Sequence, residues 1–136
     1  VIIIDASVLI AYFNAYDAHH HRAVQLLIDN AEESLAASAV TIAEILVGPA
    51  RSGMLERARN ALEDLEITTV PLGEQAPTRL ATLRARTNLK LPDCCVVLAG
   101  EHADASTVAT FDHRLAAGAV ELGFAVLPDD QPTGVA

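Results

Sequence analysis

The chain opens on "VIIID", four β-branched residues in a row closed by an acid, and this run constrains the fold more than any other stretch. A strand apolar on both faces has to be covered on both faces, the situation of a strand inside a parallel sheet flanked by helices. The remaining sequence supplies the alternation such a sheet needs. Residues 7–13 ("SVLIAYF") read as a short helix. After Asp17 as N-cap, residues 18–31 read as a second, with Ala23, Val24, Leu27 and Ile28 inward. Residues 34–38 ("SLAAS") form a weaker strand, and a helix capped by Ser38 runs up to Gly48 and Pro49. Residues 53–65 are amphipathic, with Leu55, Ala58, Leu62 and Leu65 aligned, and "ITTVPL" is the next strand. Helices at 74–87 and 92–102, the strand "STVAT", a short helix "DHRLAAGA" and a last strand "FAVL" complete the chain. The expected fold is a single three-layer α/β domain, a parallel sheet of four to five strands with helices on both faces.

At 136 residues there is room for one core and not for two. A hydrophobic content of 51% against 20% charged residues excludes a disordered protein. No apolar run approaches the roughly 18 residues of a membrane span, and the chain enters its first strand without a basic leader. The expectation is a cytosolic protein. Residues 1–128 are expected to form the domain, and residues 129–136, poor in apolar bulk, a loose tail. The only two cysteines, Cys94 and Cys95, stand side by side in "DCCVVLAG" and read as small core residues.

A formal net charge of -9 excludes holding nucleic acid by bulk electrostatics, though not through a local site. Eight of the nine basic residues are arginine, and Arg79, Arg84, Arg86 and Lys90 gather just before Asp93. The planar guanidinium fork suits phosphate; a solvated helix face is the commoner reason for such a cluster.

In open parallel sheets the active crevice lies outside the carboxyl ends of the strands, so acids at those positions matter most. Asp5 follows "VIII", Asp112 follows "STVATF", and Asp93 begins the "DCCVVLAG" helix. Glu44 stands within "AVTIAEILVG", a helix apolar enough to be largely buried. There it needs water or a cation, because an unpaired buried carboxylate is costly. Each acid also has an ordinary explanation. Asp93 and Asp112 suit helix starts, Asp5 a turn, and Glu44 an exposed position opposite the Ile42 and Leu46 face.

Taken together, "IIIDASVLIAYF", "TIAEILVG", "LPDCCVVLAG" and "TVATFDHRL" resemble, in order, the four acidic blocks of PIN-domain nucleases, across nearly the whole chain. Asp5 with Ser7, then Glu44, then Asp93, then Thr110 with Asp112 match the motif elements, and "AEIL" after the second strand is most similar to the VapC-type toxins of toxin–antitoxin pairs. The resemblance implies metal-dependent cleavage of RNA phosphodiester bonds, with Mg²⁺ or Mn²⁺ as cofactor. It implies Asp5, Asp93 and Asp112 as direct or water-bridged ligands, and Glu44 on a second ion or orienting the attacking water. Hard cations do choose carboxylate oxygens. Ser7 and Thr110 then hold carboxylates or substrate through their hydroxyls. Arg84, Arg86, Lys90 and Arg114 are candidate RNA contacts. The implied partners are RNA, an antitoxin and a second copy of the chain, since the aliphatic helices at 7–28 and 39–65 offer more apolar surface than one small domain buries.

Two other acid-bearing classes fit poorly. A phosphatase of the haloacid dehalogenase type needs a second acid two residues after the first, where this chain has Ser7. A phospho-receiver, a signalling module, wants adjacent acids near the first strand and a lysine beyond a later one, whereas the sole lysine, Lys90, precedes a helix. The nearer alternative is a PIN-fold nuclease of RNA maturation without an antitoxin. The triplet His19, His20, His21 cannot face one metal ion from a helix, whose successive residues turn by about 100°, and reads as a solvated or partner-facing patch. His113 beside Asp112 is within reach of a phosphate, or simply surface.

Overall fold

A computed structural model describes residues 1–129. Its five strands are β1 (Ile2–Ile4), β2 (Leu35–Ser38), β3 (Ile67–Val70), β4 (Thr107–Ala109) and β5 (Ala125–Leu127). They lie in the order β3-β2-β1-β4-β5, every neighbouring pair parallel. The seven helices are α1 (Ala6–Phe13), α2 (His20–Asp29), α3 (Ala39–Arg51), α4 (Leu55–Asp64), α5 (Ala76–Thr87), α6 (Leu91–His102) and α7 (His113–Glu121). The three-layer parallel architecture is the one expected. Of the loose tail expected at 129–136, only Asp129 falls within the described residues.

The opening run explains the layering. Successive strand residues point to opposite faces, so Ile2 and Ile4 join one apolar cluster with Val8, Leu9, Leu26 and Leu62, under α1 to α4. Ile3 joins the other, with Leu83, Val97, Leu98, Val108 and Leu115, under α5 to α7. All three isoleucines are buried, and burying such a side chain fully is worth roughly 1.5–3 kcal/mol. Cys94 and Cys95 are free thiols in the core, as expected.

Strand order also locates the crevice. From β1 the chain moves outward to β2 and β3, then returns to place β4 and β5 on the other side of β1. The direction of winding reverses between β1 and β4, and in open parallel sheets ligands bind at that reversal, beyond the carboxyl ends. Asp5 leaves β1 there, and residues 110–112 leave β4 beside it.

Several local readings need correction. Helix α3 does not stop at Gly48 and Pro49 but runs to Arg51. Proline lacks one N–H and crowds one carbonyl. The turn is nevertheless closed, because Ser52 N–H donates to the carbonyls of Gly48 and Pro49 and Met54 N–H to that of Pro49. Nor is α3 largely buried: Thr41 is its only buried side chain, and Val47 is 45% exposed. On α2, Leu26 points inward while Ile28 is 61% exposed. Asp17 caps the preceding turn by accepting from His19 N–H at 2.8 Å, and the helix begins at His20. Helix α6 starts from Lys90 as N-cap rather than from Asp93.

Candidate functional site

Asp5 is the centre of the crevice. It is 8% exposed, and its Oδ2 accepts from both Ser7 Oγ and Thr110 Oγ1 at 2.8 Å. A hydroxyl has one hydrogen. The 3.3 Å approach of Ser7 Oγ to Thr110 Oγ1 is therefore the contact of two groups already donating to one carboxylate oxygen. Each hydroxyl also accepts a backbone bond, Ser7 Oγ from Phe111 N–H at 3.0 Å and Thr110 Oγ1 from Asp112 N–H at 2.9 Å. With Asp5 N–H on the Ala109 carbonyl, these bonds lace β1 to the segment leaving β4. Asp5 is held in one orientation, with Oδ1 left open among the described residues.

Asp112 fulfils the ordinary expectation for its position and keeps capacity for more. As N-cap of α7, its Oδ1 accepts from Arg114 N–H at 2.8 Å and Leu115 N–H at 3.2 Å. Its Oδ2 accepts nothing among the described residues. Asp93 makes no cap bond: it lies half-buried in the first turn of α6, which Lys90 begins. Asn88, in the left-handed conformation at φ 61°, ends α5 and turns the chain toward that start.

Electrostatics ties these acids together. Burial, then the negative charges of Asp112 and Asp5, and lastly Glu44, push the Asp93 carboxyl up from 3.8 to about 6, with Lys90 pulling the other way. Glu44 is solvent-exposed on α3, yet partial desolvation and, after it, the charge of Asp5 raise its carboxyl too. Like charges disfavour one another's ionised form, and these shifts have the sign expected of carboxylates gathered from the end of β1, from α3, from α6 and from the β4–α7 connection. Glu44 is not a buried acid in need of rescue. Its helix is partly exposed, and its carboxylate has water on one side and the acid cluster on the other.

The basic cluster before Asp93 does not act as one patch. Arg79 forms a bidentate pair with Glu101, and Arg84 Nη1 donates to the Leu89 carbonyl at 2.7 Å. Lys90 stands beside Asp93, and Arg114 borders a small cavity with Thr87, Asn88 and Leu89. Lys90 therefore stands at the acids, whereas no described side-chain contact brings Arg86 or Arg114 to them.

The sequence left Arg22 and Phe111 unread and gave His19 only as part of a solvated or partner-facing triplet. The His19 ring stacks on Phe111, centroids 4.7 Å apart and planes 19° from parallel. Arg22 places its guanidinium carbon 5.1 Å from the Phe111 centroid. The histidine triplet thus divides. His19 joins the rim, His20 Nδ1 donates to the Ala11 carbonyl at 2.8 Å, and His21 is exposed. The signal available was the aromatic lodged between Thr110 and Asp112; its partners lie about ninety positions earlier in the chain.

Against known proteins, a family model described as "PIN domain" matches residues 2–121. A toxin–antitoxin complex from Klebsiella pneumoniae superposes with a TM-score of 0.71 at 24% identity, covering 87% of this chain and 92% of that one. VapC20 of Mycobacterium tuberculosis, a sarcin–ricin-loop-cleaving toxin, does so with a TM-score of 0.71 at 16% identity, covering 86% and 94%. FitAcB from Neisseria gonorrhoeae gives 0.71 at 22% identity, covering 93% and 96%. At these identities the likeness is one of fold. No relative among curated proteins matches the chain.

Proposed function

The chain belongs to the PIN-domain family, whose model spans residues 2–121, and from that premise we propose that it is a metal-dependent ribonuclease and the toxin of a type II toxin–antitoxin pair, with residues 1–128 as its nuclease domain. The observation that supports the reading is that the charges of Asp112, Asp5 and Glu44 all raise the Asp93 carboxyl, beyond the strand ends at the β1–β4 reversal.

The donor set suits a hydrated Mg²⁺ or Mn²⁺. Among the described residues, no three His, Cys, Asp or Glu side chains form a closed ligand group. Mg²⁺ does not demand one, since it keeps several waters and binds through one or two carboxylates. Asp5 Oδ1 and Asp112 Oδ2 are open for direct contact, and the Asp93 and Glu44 carboxylates accept no hydrogen bond among the described residues. When bound, the ion supplies Lewis acidity at the phosphodiester and a water that ionises more readily.

The remaining chemistry belongs to the chain. Ser7 and Thr110 fix the Asp5 carboxylate before substrate arrives, so that no reorientation is needed at the moment of reaction. The raised carboxyls of Glu44 and Asp93 are better proton acceptors at neutral pH than ordinary ones. Glu44, exposed and free of cap bonds, is the residue to hold the proton of an attacking water. Lys90, beside Asp93, and Arg114, two positions after Asp112, offset the repulsion between an RNA strand and a chain of formal net charge -9.

An antitoxin is supported by an apolar groove on the helices. A groove of about 510 Å³ between α1, α3 and α4 is lined by Ile10, Phe13, Ile45, Pro49, Ala58 and Ala61. Ile10 is 48% and Phe13 43% exposed. An amphipathic helix lays its apolar face into such a groove. The same apolar surplus supports a homodimer, and the mass of the purified protein with and without a co-expressed antitoxin tests both.

Incubating purified protein with RNA in Mg²⁺, Mn²⁺ or excess chelator tests the nuclease reading. Cutting is expected in metal only, with 5′-phosphate ends, and Asp5→Asn is expected to abolish it. Undiminished cutting in chelator, or by Asp5→Asn, overturns the mechanism.

A further inference from the structure

Next to the acid crevice an open cavity of about 590 Å³ is lined by, among others, His19, Arg22, Phe111, His113 and Val126. Its wall is built rather than incidental. Phe111 lies between Thr110 and Asp112, and its own N–H donates to Ser7 Oγ, so the Ser7 hydroxyl that orients Asp5 also anchors the backbone that carries this ring. Arg22 Nη1 lies 3.2 Å from His19 Nδ1. A guanidinium has donors only, so Nδ1 is the acceptor in this contact. A flat ring, stacked on a phenyl and edged by a cation, is therefore presented beside the crevice.

Packing alone does not account for this arrangement. Both rings are half-buried rather than enclosed, in a chain with three phenylalanines and no tryptophan. The composition of the cavity matches what unpaired nucleotides use: bases stack on Phe, His and Arg planes, and phosphates take Arg.

We propose that this cavity is a nucleotide subsite, in which one unpaired base of the RNA strand next to the scissile phosphodiester extends the His19–Phe111 stack and its phosphate lies toward Arg22. The proposal rests on the ribonuclease reading and deepens it. Because every base has a π-face, the subsite selects for an unstacked nucleotide more than for a particular base. It favours cleavage in loops or single strands over duplex.

The test is cutting in Mn²⁺ of single-stranded RNA with one abasic ribonucleotide moved position by position. His19 contributes no side-chain cap to α2, so His19→Ala leaves the helix start intact. It is expected to lower kcat/KM on the intact strand by about 10- to 100-fold. One abasic position should inflict the same loss on the parent and none further on His19→Ala, and His19→Tyr should recover most of the activity. Equal cutting by parent and His19→Ala, or losses that multiply, overturns the subsite and leaves the nuclease reading standing. The same strands labelled with 2-aminopurine and titrated in Ca²⁺ give a readout independent of cleavage. Quenching by the parent that is lost in His19→Ala, without cutting in Mn²⁺, keeps the subsite and overturns the nuclease reading. No quenching and no cutting overturns both.

Discussion

Replacing Asp93 by asparagine separates a convergent acid site from an ordinary helix start. In the folded chain the Asp93 carboxyl sits at about 6 rather than 3.8, through burial first and then the charges of Asp112, Asp5 and Glu44. A raised carboxyl pKa means that the folded state holds its proton more tightly than the unfolded chain does. The resulting stability is fully present below pH 3.8 and is lost as the pH rises through about 6. At about 1.4 kcal/mol for each tenfold change in proton affinity, the loss is at most about 3 kcal/mol. Solvent reaching this half-buried side chain screens part of it, leaving about 2 kcal/mol. Asparagine keeps the shape and never ionises, so it escapes that loss. It forfeits the favourable carboxylate–dipole interaction in the first turn of α6, roughly 0.3–1 kcal/mol. It forfeits no cap bond, because Asp93 makes none.

In metal-free buffer at pH 7.5, Asp93→Asn is therefore expected to be more stable than the parent by about 1.5 kcal/mol, a Tm increase of roughly 4–7 °C for a domain of this size. At pH 4.5 the folded carboxyl is protonated while the unfolded one is still largely ionised, so about a third of the loss remains and the difference should fall to about 0.5 kcal/mol. Adding Mn²⁺ at pH 7.5 should narrow the gap from the other side, because ion binding stabilises the parent and much less the variant. Thermal unfolding followed by circular dichroism at both pH values, with chelator and with Mn²⁺, measures all three. A variant that melts no higher than the parent at pH 7.5 without metal, or keeps its full advantage at pH 4.5, refutes the convergence of these acids.

Other consequences follow from individual contacts. Asp112→Asn should be nearly neutral in metal-free stability, since asparagine caps about as well, while losing RNA cutting; a drop of about 2 kcal/mol or more, the upper end for losing a cap, would mean that the cap needs the charge. Thr110→Val removes one donor from buried Asp5 Oδ2 and an acceptor from Asp112 N–H, and is expected to cost about 1–3 kcal/mol in denaturant titrations, with reduced activity. Phe13→Asp in the α1–α3–α4 groove should leave cutting intact and abolish neutralisation by a co-expressed antitoxin, read out as growth after induction.

How much of this was legible in the sequence depends on the range of the interaction that decides each feature. The sheet was legible because four β-branched residues leave few alternatives, and Asp5 and Asp112 because each directly follows or leaves an apolar strand. Features settled by one or two nearby hydrogen bonds were harder. Helix α3 passes Pro49 because Ser52 and Met54 close its last turn, and neither residue carries a helical pattern. The burial of α3 was overestimated because apolar content reports what a helix is able to bury, not what covers it; the exposed Val47, Ile10 and Phe13 suit a surface awaiting a partner. The basic cluster was legible as composition but not as function. Its arginines are divided among Glu101, the Leu89 carbonyl and solvent, and those distances exist only after α5 and α6 have packed. The His19–Phe111 stack was the least legible, joining positions about ninety residues apart with no periodicity to connect them. It stands at the β1–β4 reversal because both of its segments are delivered there: Phe111 by the connection that leaves β4 at Ala109, and His19 by the α1–α2 connection. The topology that places the acids at the strand ends thus places aromatic and cationic side chains beside Asp112 as well.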